Sequence, residues 1–219
     1  MSRTRSAPGG GTVVEVSADR LPGWVNRFAG RNGGVANITA KEHLVLLTAS
    51  DGTTAEIAVP FPPMRLADRE GVEALLDHLA GLGGVGIIAV RAGAHSIGVA
   101  KAGVVVSSKT DRAYLQGRTA AGGWSQQRFA RRRGNQLTTS LADAARDAAK
   151  VLIPVVAQLD ALVVAGDAKA LSVVLADTRL QPLLALPRRV FGDIPEPRRT
   201  VIDDLAERIF DVEITIRNP

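Results

Sequence analysis

The stretch Gly117-Arg-Thr-Ala-Ala-Gly-Gly-Trp-Ser-Gln-Gln-Arg-Phe-Ala-Arg-Arg-Arg-Gly-Asn135 separates a run of strands from a long helix. Residues 117–139 hold four glycines, five arginines and few aliphatic side chains. Such a segment has little with which to bury itself and reads as a long exposed loop, a feature that is uncommon inside compact domains and usually functional. Beyond it, Ser140 can cap a helix with Asp143 three positions in. Leu141, Ala145, Ala148, Leu152, Val155 and Leu159 then recur four and three residues apart, as one apolar helical stripe. Pro154 removes one helical hydrogen bond and is expected to kink that helix.

Working outward, residues 85–90, 95–100, 104–108 and 112–116 read as short strands before the loop. A helix at 69–82 precedes them, with Val72, Leu75, Leu76 and Leu79 inward. After the long helix come a buried strand at 161–165 ending in Gly166, a helix at 168–176, a strand at 189–191, a helix at 201–210 and an alternating strand at 212–216. Strands interleaved with helices imply an α/β (α+β) fold, a mixed sheet flanked by helices. Residues 12–63 read as a separate small α+β module. Val14 and Val16 lie in a strand, and Leu21, Val25 and Phe28 stand at helical spacing. Two further strands, 43–49 and 53–59, meet across the turn signal Asp51-Gly52. The expected organisation is a flexible basic start at 1–11, the module at 12–63, a proline-rich link ending at Pro63, and the main domain at 64–219.

Composition narrows the chemistry. With 46% hydrophobic and 22% charged residues a packed core is expected, and with no cysteine, disulfides and thiolate chemistry are excluded. The longest apolar run, 151–165, is interrupted by Pro154, Gln158 and Asp160 and falls short of the roughly 20 apolar residues a bilayer span needs. No membrane partner is expected, and the start of the chain does not read as a secretory signal. The formal charge of +5 is local: from Lys109 to Arg133 there are seven basic residues and one acid, so that window carries +6 and the remainder of the chain −1. A polyanion contact at one place follows.

Other chemistries find little support. His43, His78 and His95 are far apart with no paired spacing, so no metal site is expected. Gly81, Gly83 and Gly86 have dinucleotide-motif spacing but follow a helix and open a strand, the reverse of what that motif requires. They read as a helix stop and a turn. The acids are scattered, which disfavours a two-metal nuclease, and no serine sits in a nucleophile elbow. The loop therefore carries the interest. Gly122 and Gly123 permit unusual backbone angles. Arg118, Arg128, Arg131, Arg132 and Arg133 can neutralise phosphates, and Trp124 can stack on a base. If the end of the loop becomes helical, the arginines spread around it and Phe129 can face the domain body. The same composition would also serve an RNA-binding loop without chemistry.

Around this loop the sequence resembles the central domain of eukaryotic and archaeal class I peptide-chain release factors. There, Gly-Gly-Gln is followed closely by Arg-Phe-Ala-Arg and a long helix. Here Gly122-Gly123 is followed by Arg128-Phe129-Ala130-Arg131-Arg132-Arg133, and Leu162-Val-Val-Ala-Gly166 looks like that family's strand ending in Ala-Gly. The resemblance covers about residues 84–217. Laid down without gaps, however, Trp124 occupies the catalytic glutamine's place, and glutamines follow as Gln126 and Gln127. This is similar to the bacterial branch of the Vms-like release factors, rescue peptidyl-tRNA hydrolases with a Gly-Ser-Gln type motif.

The resemblance implies a release-factor central-domain fold, ribonuclease-H-like, with a protruding loop. It implies that Trp124-Ser125-Gln126 carries the chemistry, with Gln126 preferred and Gln127 in reserve. Gly122, Gly123 and Ser125 would complete the site. The partners would be peptidyl-tRNA and the large ribosomal subunit at its peptidyl transferase centre. The chain would act in the cytoplasm, as a monomer, with no cofactor and no metal. Glutamine would hold a water against the ester, backbone N–H groups would steady the oxyanion, and RNA would handle the proton. Residues 12–63 match no stop-codon reader, so rescue of stalled ribosomes is expected. The alternative is a ribosome- or tRNA-binding factor without hydrolysis.

Overall fold

The computed structural model describes residues 4–66, 71–91, 93–113 and 124–219. In chain order the elements are β1 (Thr4–Ser6), β2 (Thr12–Val16), α1 (Leu21–Arg31), β3 (Val35–Lys41), β4 (Leu44–Ala49), β5 (Thr54–Ala58) and α2 (Gly71–Ala80). There follow β6 (Gly84–Arg91), β7 (Ala94–Lys101), β8 (Val104–Arg112), α3 (Trp124–Leu152), β9 (Leu159–Gly166), α4 (Ala168–Leu175), α5 (Gln181–Leu184), β10 (Arg188–Phe191), α6 (Arg199–Glu207) and β11 (Val212–Arg217). This is the mixed α/β class that the alternation of elements implies, with two sheets flanked by helices.

The chain divides into two compact units, 1–82 with 208–219, and 83–207. The boundary differs from the expected break at Pro63. Helix α2 belongs to the first unit, where Ala74, Leu75 and Leu79 join the core built by Leu21, Phe28, Val45, Leu47 and Ile57. The last strand returns there too. β11 lies between β2 and β5, pairing antiparallel with both, in a six-stranded sheet of order β1-β2-β11-β5-β4-β3. The alternation of Val212 and Ile214 is visible in the sequence, but pairing across almost two hundred residues is not. The β4–β5 hairpin turns at the predicted Asp51-Gly52. Gly52 takes φ +88, the left-handed region that favours glycine, and the Asp51 carboxylate accepts the Thr53 N–H at 2.9 Å.

In the second unit the sheet order is β10-β9-β6-β7-β8. β9 runs parallel to β6 and to β10, whereas β6, β7 and β8 form an antiparallel meander. The central β6 is buried from Gly84 to Val90, as a nearly continuous apolar run between two neighbours should be. Gly166 ends β9 at φ +114, and a Cβ there would collide with the Val90 carbonyl oxygen. Only glycine fits, after which Asp167 caps α4 by accepting the Ala170 N–H at 2.8 Å.

The greatest departure from the sequence reading is α3. It begins at Trp124, not after Ser140, so residues 124–139 are helix and not loop. Ser140 does not cap; it is a buried interior residue. A polar surface disfavours burial, not helix, and Gln and Arg are good helix formers. Residues 117–123 of the expected loop lie outside the described residues, as do residues 114–116 of the expected strand at 112–116. Pro154 ends the helix instead of kinking it. A 3-10 turn at Ile153–Gln158 follows, and Leu159 opens β9.

Candidate functional site

Helix α3 has two halves of different character. From Ser140 to Leu152 its Leu141, Ala144, Ala145, Ala148 and Leu152 are buried in the core of the second unit, against Ile88, Val90, Ile97 and Val99 of the sheet. From 124 to 139, about 24 Å of helix at ~1.5 Å per residue, no described residue is fully buried. Arg128, Arg131 and Arg132 are exposed, together with Asn135. Their spacing of i, i+3, i+4 and i+7 places them on one stripe. Arg133 and Leu137 are half-buried on the other side, and Leu137 packs against the core.

Residues 124–142 contain four arginines and no acid; the first acid of α3, Asp143, is taken by Arg146 at 2.7 Å. Arg128 and Arg132, one turn apart, repel each other in the free protein. A polyanion laid along the stripe would relieve that repulsion. The segment is also locally weakened by Gly134. A Cβ at that position would meet nothing within 4 Å, so the glycine serves no packing need. Thr138 Oγ donates back to the Gly134 carbonyl at 3.1 Å.

Trp124, Ser125, Gln126 and Gln127 form the first turn of α3. Backbone N–H groups in a first turn have no partner within their helix; the side chains of Trp124, Ser125, Gln126 and Gln127 lie outside the described residues. Gly122, Gly123 and Arg118 lie outside the described residues, as does the side chain of Phe129. The structure therefore brings the predicted glutamines and Arg128, Arg131, Arg132 and Arg133 onto one helical element.

One polar cluster escaped the sequence reading. Asp147, on the buried half of α3 and 1% exposed, sits against the start of β7 and the end of β8. His95 Nε2–H donates to its Oδ2 at 3.1 Å and Lys109 Nζ donates to its Oδ1 at 2.6 Å. Burial raises the Asp147 carboxyl, but the hydrogen bonds and charges of Lys109 and His95 outweigh it, and the group is held below its ordinary value. Asp111, paired with His95 across β7 and β8, brings a third acidic or imidazole ligand atom within 4.8 Å of the other two. This grouping has the makings of a cation site that histidine spacing alone did not predict. Lys109 already places a positive charge on its most buried carboxylate. The available signal was Asp147 itself, an acid one position before Ala148 in the buried stripe.

An open apolar groove lies between α4 and the sheet-edge strand β10, lined by Val164, Leu171, Leu175, Leu186, Arg188 and Val190. Among the described residues it gathers no acid–base pair. Nor is any helix of the described residues long and apolar enough to cross a membrane.

The second unit is thus a mixed α/β layer with a long helix whose outer half, residues 124–142, is basic and free of acids. Comparison with known families identifies it: residues 83–215 match the Actinobacteria/chloroflexi VLRF1 release factor, and the chain belongs to that family. No curated protein matches. Among solved structures, the archaeal translation termination factor aRF1 aligns at 13% identity over 90% of this chain and 67% of its own, with a TM-score of 0.37. Pelota of Archaeoglobus fulgidus aligns at 13% identity over 95% and 65%, TM-score 0.31. Dom34 of S. cerevisiae, a translation termination-like factor, aligns at 8% over 94% and 66%, TM-score 0.30. The chain spans about half to two thirds of the length of the solved chains it matches.

Proposed function

We propose that the chain is a peptidyl-tRNA hydrolase that works on the ribosome, cleaving the ester between nascent peptide and tRNA in rescue of stalled large-subunit complexes in the cytoplasm. One observation carries the reading: the segment 124–139 is a helix with no fully buried side chain among its described residues, which bears Arg128, Arg131 and Arg132 on one stripe and starts with Trp124-Ser125-Gln126-Gln127. Arginines on the stripe contact phosphates and set direction. The first turn reaches the peptidyl transferase centre ahead of them. There the Gln126 amide, neutral at every relevant pH, accepts and donates to a water and holds it against the ester carbonyl. Free N–H groups of the same turn steady the oxyanion as the tetrahedral intermediate forms. The proton passes through RNA hydroxyls, so no protein base is needed. Gln127, next in the chain, serves only if Gln126 does not.

The test is peptide release from purified stalled large-subunit complexes carrying peptidyl-tRNA, with wild type, Gln126→Ala, Gln127→Ala and the double variant. Gln126→Ala is expected to abolish release while the protein still co-sediments with the complex. Full release by the double variant would make the chain a binding factor without hydrolysis.

A further inference from the structure

The outer part of α3 can act only if its direction is held; Leu141 and Leu152 pack the ends of its inner stripe, but the alanines between them give no directional contact. Ala144, Ala145 and Ala148 are small and nearly alike, so a slide of one turn, about 5.4 Å, would exchange one alanine contact for another. Asp147 is different. A slip or a rotation would leave a carboxylate that is 1% exposed without its partners, at the cost of an unpaired buried charge. Those partners come from separate strands, His95 from β7 at 3.1 Å and Lys109 from β8 at 2.6 Å. β8 is the strand that runs into the segment before α3. The Lys109–Asp147 pair therefore fastens the inner half of α3 to the end of β8.

We propose that Asp147 is a positioning residue for the outer segment of α3, its carboxylate clasped by His95 and Lys109 so that residues 124–133 are presented in one direction. The proposal builds on the hydrolase reading in assigning that direction a purpose. Its geometric core stands apart from activity. Lys109 is 42% exposed along its side chain, so its ammonium keeps part of its hydration while neutralising the carboxylate. The Ser96–Thr110 hydroxyl pair, at 2.6 Å, ties the same two strands together beside the clasp.

The chain has no cysteine, so paired spin labels can be placed cleanly at Asn135→Cys, on the exposed stripe, and Val173→Cys, 57% exposed on α4. In the labelled protein the interspin distance is expected to be a single narrow population. Asp147→Asn and Lys109→Met should broaden or shift it, and Lys109→Arg should restore it. Peptide release should fall about tenfold in kcat for the two disruptive variants, with KM within about twofold. Should Asp147→Asn fail to fold, Lys109→Met, altered at a half-exposed position, decides the matter. An unchanged distance population in folded disruptive variants overturns the proposal. So does a rise in wild-type Tm with Zn²⁺ or Mn²⁺ that His95→Asn loses, because the cluster would then be a metal site. If wild type releases no peptide at all, the hydrolase reading falls, and the distance measurement still decides the clasp.

Discussion

The two halves of α3 share one backbone and have opposite jobs. From Ser140 onward the helix is part of the core: alanines let it lie close to the sheet, Leu141 and Leu152 fill the space at either end, and Asp147 locks its register. Before Ser140 it has no large buried side chain among the described residues, repeats arginine on one side and contains a glycine that packing does not require. Buried side chains are concentrated in one half and exposed positive charge in the other, where the proposed function places recognition.

Mutations should separate the halves cleanly. The largest effect belongs to the inner one: Leu152→Ala, at a fully buried position, should cost about 2–5 kcal/mol by loss of burial and cavity formation. Urea unfolding measures it. Arg131→Gln in the outer half should stay within about 0.5 kcal/mol. Gln126→Ala should reverse that pattern, leaving the unfolding curve in place and lowering release about 10²-fold or more, as loss of a group that acts on the reacting atoms does. Replacing Arg128, Arg131 and Arg132 together by Gln should weaken binding to the large subunit on the order of 10²-fold at low salt. It should also flatten the plot of log K against log salt by about two to three, with Tm nearly unmoved. If Tm fell with binding, the outer half would be part of the core after all.

The pH response should also sit in the inner half. The Asp147 carboxyl is lowered in the folded protein relative to its ordinary value near 3.8. The stability this contributes is therefore present above the ordinary carboxylate range and is lost as pH falls through the lowered folded value. Asp147→Asn should flatten that acid limb of the stability curve, measured by thermal melts from neutral pH downward. A modest gain should come from Gly134→Ala. With open space around the added methyl, the outer helix should gain about 1 kcal/mol, read as slower amide exchange in residues 128–138 with no change in the exchange of the sheet.

Much of this architecture is legible in the chain. Asp51-Gly52 announces its hairpin because a tight turn needs a positive φ and an aspartate to close it. The run 85–90 announces a central strand because only a strand covered on both sides is apolar throughout. Local chemistry sets such features. The interest of residues 117–135 is legible as well, since charge and amide content are read directly from composition. The secondary structure of 124–139 was not legible, because an absence of apolar periodicity says that a segment is unburied and leaves its backbone undecided.

By itself, then, the sequence determined the mixed α/β class, the local turns, the apolar stripes and the place where positive charge gathers, each a property of neighbours within a few residues. Tertiary structure alone decided that β11 lies between β2 and β5, that α2 serves the first unit, and that His95, Lys109 and Asp147 meet. Those pairings join residues 38 to about 200 positions apart. The free energy that selects them comes from burial and from matching charges in three dimensions, which no local pattern of residues records.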